Sequence, residues 1–173
     1  MCQDKKIKLR VPEMKDAPLL LSWENNPDYW RVSNTDAPYS LIEIQNFIES
    51  ASQVRKNKQL RFVIDDETDK SIGLIDLYDI DFKHRRGGIG ILITDEKNRG
   101  KGYAKQAIMR LIDFAKTKLA VLNFYAKIHE DNLSSQHLFE SLKFKKTGEM
   151  KNWYLENDTF ITEYFYQFLS NEI

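Results

Sequence analysis

The residues best suited to chemistry lie just past the middle of the chain. Asn98-Arg99-Gly100-Lys101-Gly102-Tyr103-Ala104 places two glycines and two cations between a strand-like run, Gly88 to Ile93, and an amphipathic run from Tyr103 to about Leu119, with Lys105 as the third residue of that run. Such a loop suits an anion. The first N–H groups of a helix have no intrahelical partner, and the helix dipole adds partial positive charge there. Gly100 and Gly102 carry no Cβ, so the backbone can approach a phosphate closely. No Gly-x-x-x-x-Gly-Lys-Ser/Thr run exists, and Gly100-Lys101-Gly102-Tyr103-Ala104-Lys105 has Lys105 where a dinucleotide-binding loop needs its third glycine. A strand-to-helix turn without any ligand is the plain alternative for the glycines alone.

The elements that must position this loop follow from periodicity. Ile7 to Val11 alternates and stops at Pro12, a short strand. Asp16 with Pro18 starts a helix running to about Asn25, and Asn26 to Pro38 reads as irregular. Ser40 and Glu43 form a capping box for a helix with the apolar stripe Leu41, Ile44, Phe47, Ile48 and Ala51. Strands are expected at 60–64, 71–78 and 89–93, with polar turns at 65–70 and 81–87. After the loop, Ala104, Ala107, Ile108, Leu111, Ile112, Ala115 and Leu119 fall on one helical face. A strand near 123–128, a helix over 132–142 and strands near 144–150 and 160–169 complete the chain. Antiparallel neighbours come first and a strand–helix–strand crossover follows. The class is therefore α+β (mixed α/β), one domain over 1–173, with a central sheet.

Bulk composition restricts the partners. The chain has 173 residues, 42% hydrophobic and 30% charged, with 26 basic and 26 acidic side chains that cancel. Nothing in that balance points to nucleic acid or a membrane surface. No apolar run approaches the roughly 20 residues of a membrane-spanning helix. Met1 to Lys6 carries no apolar signal core, and Cys2 is the single cysteine, so no disulfide framework or thiol zinc site is expected. The expectation is a cytoplasmic protein without a metal.

Two segments carry a resemblance. Arg99-x-x-Gly102-x-Ala104, after a strand and opening a helix, is similar to the Arg/Gln-x-x-Gly-x-Gly/Ala motif of the GNAT N-acetyltransferases. Asn132 to Phe144 resembles the same family's Asn-x-x-Ser-x-x-Leu-Tyr-x-x-x-Gly-Phe. The order of elements agrees over almost the full length. Within the family the chain looks most like the bacterial spermidine/diamine N-acetyltransferases, through Lys8-Leu9-Arg10, Asp16, Asn25-Asn26, Pro38-Tyr39, Arg61-Phe62-Val63 and His84-Arg85-Arg86. Ribosomal-protein N-terminal acetyltransferases share much of the same scaffold.

The resemblance implies the GNAT fold: a mostly antiparallel, splayed sheet of about six to seven strands with about four helices. It implies acetyl-CoA as co-substrate, a small-molecule amine as acceptor, and a homo-oligomer in relatives of the polyamine type. Carried onto this sequence, Ile91, Leu92 and Ile93 pair with the pantetheine arm. The amides of Arg99, Gly100, Lys101, Gly102, Tyr103 and Ala104 hold the pyrophosphate, with charge from Arg99, Lys101 and Lys105. Asn132 and Ser135 lie beside the arm, and the backbone N–H of Ile93 faces the oxyanion. An alkylamine of pKa about 10.4 is neutral about once in 2,500 at pH 7, roughly 4.6 kcal/mol, whereas an α-amine near 8 needs only about 1.4 kcal/mol. A polyamine acetylase therefore needs acidic groups to hold the cation and accept a proton. Asp76 is the candidate base or amine ligand. Tyr78, two residues on, shares its face, and Asp79, Glu24 and Asp36 are further acceptor-site candidates. Trp30, Tyr39 and Trp153 are candidate pocket walls. The chain departs from the family in two places: Phe139 stands where relatives carry a proton-donating tyrosine, and Lys143 replaces the glycine before Phe144. Protein N-terminal or antibiotic amine acetylation on the same scaffold is the alternative. A non-catalytic acyl-CoA-binding domain, motivated by Phe139, is the reading from another class.

Overall fold

The computed structural model of the chain describes residues 7–33 and 38–168. Cys2 and Asp36 lie outside the described residues. Seven strands form one sheet: β1 (Lys8–Arg10), β2 (Leu60–Asp65), β3 (Ser71–Asp81), β4 (Arg86–Ile93), β5 (Asn123–His129), β6 (Lys145–Glu156) and β7 (Thr159–Phe168), in the order β1-β2-β3-β4-β5-β7-β6. Every neighbouring pair is antiparallel except β4 and β5, which the long crossover makes parallel. The α-helices are α1 (Ala17–Glu24), α2 (Pro27–Ser33), α3 (Leu41–Ser50), α4 (Val54–Asn57), α5 (Tyr103–Leu119) and α6 (Leu133–Ser141).

Three local expectations are corrected. The stretch after Asn26 is not irregular throughout, because Pro27 opens α2 and the Asn26 side chain accepts the Asp28 N–H at 3.0 Å. That is a helix start signalled by a capping Asn and a proline at the first position. With the single turn α4, the helices outnumber the four expected. Asp16 stands at the N-cap of α1, but its side chain does not cap the helix. Its carboxylate accepts two hydrogen bonds from Arg10, at 2.6 and 2.9 Å, and the Glu13 N–H at 2.7 Å. Arg10 also reaches Asp65 at 2.7 Å, so one guanidinium fastens the entry of α1 to β1 and β2. The Ser40–Glu43 capping box forms as its sequence predicts.

The sheet has two unlike faces. One carries Phe62, Ile64, Ile75, Leu77, Ile89, Phe124, Ala126, Ile128 and Tyr166, and packs on α5 and α6 through Ala107, Ile108, Leu111, Ala115 and Phe139. The opposite face is covered over its first strands by α1 and α3, where Ala17, Leu20, Ile44 and Ile48 close on Val63 and Leu74. From β3 to β7 that second face carries no helix among the described residues. There the alternate positions are polar or small: Arg61, Asp76, Tyr78, Gly88, Gly90, Lys127, His129 and Glu163, joined by the registers Asp76↔Gly90, Gly88↔Tyr125 and His129↔Glu163.

Lys143, where the resemblance places a glycine, ends α6 with φ at 66°. The next N–H, of Phe144, returns to the Phe139 carbonyl at 3.1 Å. A left-handed helix terminus is a glycine position, and a side chain there costs about 1–2 kcal/mol, partly offset by its lower freedom when unfolded. Lys143→Gly is expected to raise stability by about 0.5–1 kcal/mol in urea denaturation; an unchanged or lower midpoint would count against this account of the turn.

Candidate active site

The site begins where β4 and β5 part. They pair at Arg86↔Asn123, Gly87↔Phe124 and Gly88↔Tyr125, and no further. The Tyr78 ring fills the space above Gly88: a Cβ on Gly88 would lie 2.5 Å from two Tyr78 ring atoms and 2.9 Å from Tyr125. Tyr78 and Tyr125 meet edge to face at 5.8 Å. Beyond this aromatic plug the strands diverge.

The direction of the β4 backbone follows from its hydrogen bonds. The Thr94 N–H donates to the Ile72 carbonyl at 3.0 Å, toward β3, while the Asn123 N–H takes the Arg85 carbonyl at 3.0 Å, toward β5. Backbone groups alternate sides along a strand. Ile91 and Ile93 therefore direct their N–H and C=O groups into the gap, and Leu92 directs its own toward β3. The Ile93 carbonyl accepts a bond from Arg99 Nε at 3.3 Å.

A cleft of about 590 Å³ runs along this edge. Its lining includes Ile91, Leu92, Ile93, Arg99, Gly100, Gly102, Ala104, Lys105, Asn132 and Ser135, and so unites most of the loop with the second motif. Tyr103 also borders it, but its phenol turns away to Glu67 at 3.0 Å. Lys101 is exposed between the glycines and is not among the lining residues. Gly100 and Gly102 have φ of +71° and +85°, and nothing lies within 4 Å of the Cβ either would carry. No side chain caps α5 at Gly102. The loop is thus a cradle that exposes amide N–H groups at a helix start, and its free space is what a diphosphate needs. Asn132 caps α6, accepting the Ser135 N–H and the Ser134 hydroxyl, each at 3.1 Å. At the other end, the Tyr29 hydroxyl donates to the Thr94 carbonyl at 2.5 Å and latches α2 over the cleft.

A second cavity, about 400 Å³, lies on the uncovered face and passes through the gap. It shares Ile91, Asn132 and Ser135 with the first, so the two meet where the strands part. Its walls include Arg61, Asp76, Tyr78, Lys127, His129, Phe139, Tyr154 and Glu163. Asp76 and Tyr78 are brought here together. Asp76 accepts Arg61 Nε at 2.7 Å and Nη2 at 3.0 Å, and the remaining Arg61 nitrogen bonds Glu24. Glu24 thus joins the site through Arg61 rather than by lining the cavity. Burial and neighbouring charges push the Tyr78 phenol well above its ordinary pKa, so it is neutral. Asp79 is not brought to this cavity. It sits in a β-bulge with φ at 49°, accepts Tyr125 OH at 3.3 Å, and borders a separate surface hollow with Lys58 and Arg86. Trp30 donates its indole N–H to the Glu24 carbonyl, and Tyr39 and Trp153 are exposed; none of the three lines either cavity.

Lys127, His129 and Glu163 were not singled out from sequence. Their signal was the alternation itself. Polar Lys127 and His129 interleave with apolar Ala126 and Ile128, and Glu163 stands inside an aromatic strand. Tyr154 hydrogen-bonds Glu163 at 2.8 Å and packs on the His129 ring at 4.4 Å. Burial, then the bond to Glu163, raises its pKa to about 12, so it stays protonated.

A gap between two parting strands, a loop of free amides at its mouth and a polar cavity behind it suit an acyl-CoA-dependent transferase. The profile of the Acetyltransferase (GNAT) domain matches residues 6–145, and the chain belongs to that family. It is an N-acetyltransferase that uses acetyl-CoA. An uncharacterized N-acetyltransferase, p20, from Bacillus licheniformis is 28% identical over 96% of this chain and 94% of its own length. The spermidine N(1)-acetyltransferase of Vibrio cholerae is 29% identical over 82% of this chain and 80% of its own. A crystal structure of the Vibrio cholerae spermidine N-acetyltransferase with CoA and spermine superposes with a TM-score of 0.83, at 24% identity over 94% of both chains. Among the described residues no helix is long and apolar enough to cross a membrane, and no group of three or more His, Cys, Asp or Glu could hold a metal ion.

Arg61, Glu24 and Asp76 have side chains only 12–17% exposed. Removing the single cation from a buried set of charges leaves both acids uncompensated, which costs about 3–5 kcal/mol. Arg61→Met should lose that much in chemical denaturation, and adding Asp76→Asn with Glu24→Gln should restore at least half of it. Strict additivity of the three losses would show that they do not act as one unit.

Proposed function

We propose that the protein acetylates an aliphatic primary amine in the cytoplasm, with a polyamine or diamine such as spermidine as the preferred acceptor. The observation that carries this reading is the placement of Asp76 and Glu163 on the cavity that opens onto the gap, with Glu24 joined to Asp76 through Arg61. One guanidinium serves two of these acids, so Arg61, Asp76 and Glu24 together keep one negative charge, and Glu163 adds another that Lys127 on the same lining offsets without pairing with it. An α-amine needs little help to lose its proton, whereas an alkylammonium needs a carboxylate that holds the cation and, directly or through water, accepts its proton. The likeness to spermidine acetyltransferases points the same way.

In this reading the Ile91 and Ile93 backbone groups pair with the pantetheine arm as an added strand, while Leu92 contributes its side chain to the cleft. The amides from Arg99 to Ala104 hold the diphosphate, with Arg99, Lys101 and Lys105 supplying charge, and Asn132 and Ser135 flank the arm where the cavities meet. The amine nitrogen attacks the thioester carbonyl, the N–C bond forms and the C–S bond breaks. Of the two protons lost by the ammonium, one goes to the CoA thiolate and one to solvent. The Ile93 N–H stabilises the oxyanion formed on the way. Asp76, held rigid by Arg61, draws the cation toward the reacting centre.

A thiol-release assay with acetyl-CoA and an amine panel tests the reading. Spermidine, spermine or a diamine should show kcat/KM at least 100-fold above that for peptides with free α-amines; the reverse order would move the enzyme to the N-terminal class. Gly102→Ala should weaken CoA binding about tenfold by calorimetry and cost about 1–2 kcal/mol of stability through its positive φ. Unaltered CoA affinity would remove the loop from the diphosphate site.

A further inference from the structure

Glu163 is the acid in the cavity that the fold leaves unsatisfied. It lies in the middle of β7, is 2% exposed, and faces the same side of the sheet as its register partner His129. Oε1 accepts the Tyr154 hydroxyl at 2.8 Å. Oε2 is fully buried and has no hydrogen-bond partner among the described residues. No cation stands within ion-pair distance of it among those residues, although Lys127 borders the same cavity. Buried carboxylate oxygens are ordinarily paired, because an unsatisfied one keeps the whole desolvation cost. Asp76 presents the contrast: both of its oxygens are taken by Arg61.

The groups around the carboxylate come from four strands of the sheet. Tyr154 holds one oxygen from β6, and its ring rests on His129, whose Nδ1 is 3.7 Å from Glu156. Tyr78 approaches from β3, near enough for the Glu163 charge to help raise its pKa. Lys127 and His129 face the cavity from β5, Asp76 from β3 and Arg61 from β2. A ligand group that completes this arrangement must donate a hydrogen bond and carry positive charge. An alkylammonium does both.

We propose that Glu163 Oε2 receives the acceptor's amino group, and that Tyr154 is a positioning residue that holds the carboxylate for it. The proposal deepens the amine-acetylation reading and rests on it. It moves the principal amine contact from the third strand, where Asp76 is already paired, to the last strand, on the β5 side of the gap.

Calorimetric titration of spermidine into the CoA-saturated full chain is the test, because it needs no turnover. Glu163→Gln keeps an acceptor for Tyr154 and removes the charge. It should weaken spermidine at least 30-fold and leave the CoA Kd within twofold. Tyr154→Phe should weaken spermidine three- to tenfold, and Asp76→Asn less than fivefold. Spermidine affinity in Glu163→Gln within threefold of wild type overturns the proposal, as does a wild-type complex that binds no amine. If Glu163→Gln does not fold, a crystal structure of the wild-type protein with CoA and spermidine decides: a nitrogen within 3.2 Å of Oε2, hydrogen-bond distance, supports the assignment, and an amine bound elsewhere ends it. Acetyl transfer is read separately. Amine binding through Glu163 without thiol release defeats the acetylation reading alone, and active wild type with an indifferent Glu163→Gln defeats this inference alone.

Discussion

The structure depends on one interrupted ladder. Among the described residues β4 and β5 are the only parallel neighbours in the sheet, and they share three residue pairs before they separate. A strand edge in a protein interior leaves N–H and C=O groups that must find partners. Here those of Ile91 and Ile93 look into the gap, where the Ile93 carbonyl takes Arg99 Nε. The separation has a local cause. Gly88 lets the Tyr78 ring sit on the backbone at the last shared pair, and Tyr125 and Phe165, stacked at 5.1 Å, close the same plug from β5 and β7. The crossover that makes the two strands parallel is α5, whose first turn is the glycine cradle. Gap and cradle therefore come from one connection, and neither can be repositioned without the other.

Electrostatics divides the same face into a sealed and an unsealed part. Arg10 and Arg61 each take two carboxylates from different elements: Arg10 joins Asp16 to Asp65, and Arg61 joins Glu24 to Asp76. Both sets sit on the β1–β3 side and tie α1 to the sheet. Buried ion sets of this kind contribute little net stability but strongly penalise loss of one member, which makes them devices for fixing geometry. On the β5–β7 side no arginine is buried among the described residues, and Glu163 is left without an ionic partner. The cavity thus has one wall whose acids are held by Arg61 and keep one negative charge between them, and an opposing wall where Glu163 stands unpaired with Lys127 on the same lining.

Much of this was legible in the sequence, and the reasons for the rest are specific. α5 was predicted with both ends because its apolar face repeats over four turns and a Gly-x-Gly opens it. Strong periodicity and a conformational requirement, a positive φ, coincide there. The helix α2 was missed because seven residues show no apolar period; only Asn26-Pro27 marked it. The loss of Asp16 as a cap was not readable, since Arg10 competes for the same carboxylate from another element. Asp76 was placed on the correct face, but its pairing with Arg61 belongs to strand register, and a one-residue slip would have undone it. Glu163 was hidden for a related reason. A lone acid among aromatics looks like a surface position until the register puts it opposite His129, inside the sheet's working face.

Phe139 bears on the chemistry by what it does not supply. It is 3% exposed, packs edge-on against Phe144 at 5.0 Å, and lines the cavity near the junction of the two clefts. The resemblance implies a tyrosine there to protonate the leaving group, and general acid catalysis is typically worth about 10²–10⁴ in rate. How much of that is forfeited depends on the leaving group. A thiol has a reference pKa near 8.5, close to ambient pH, so a thiolate departs without concerted protonation far more readily than an amine or alkoxide would. Expulsion from the tetrahedral intermediate also favours sulfur over the incoming alkylamine once that nitrogen has lost its proton. The step that needs the protein most is therefore deprotonation of the amine, roughly 4.6 kcal/mol uphill at pH 7, rather than protonation of the thiolate. The cavity that Phe139 lines offers two carboxylates, Asp76 and Glu163, for that step and no hydroxyl at position 139.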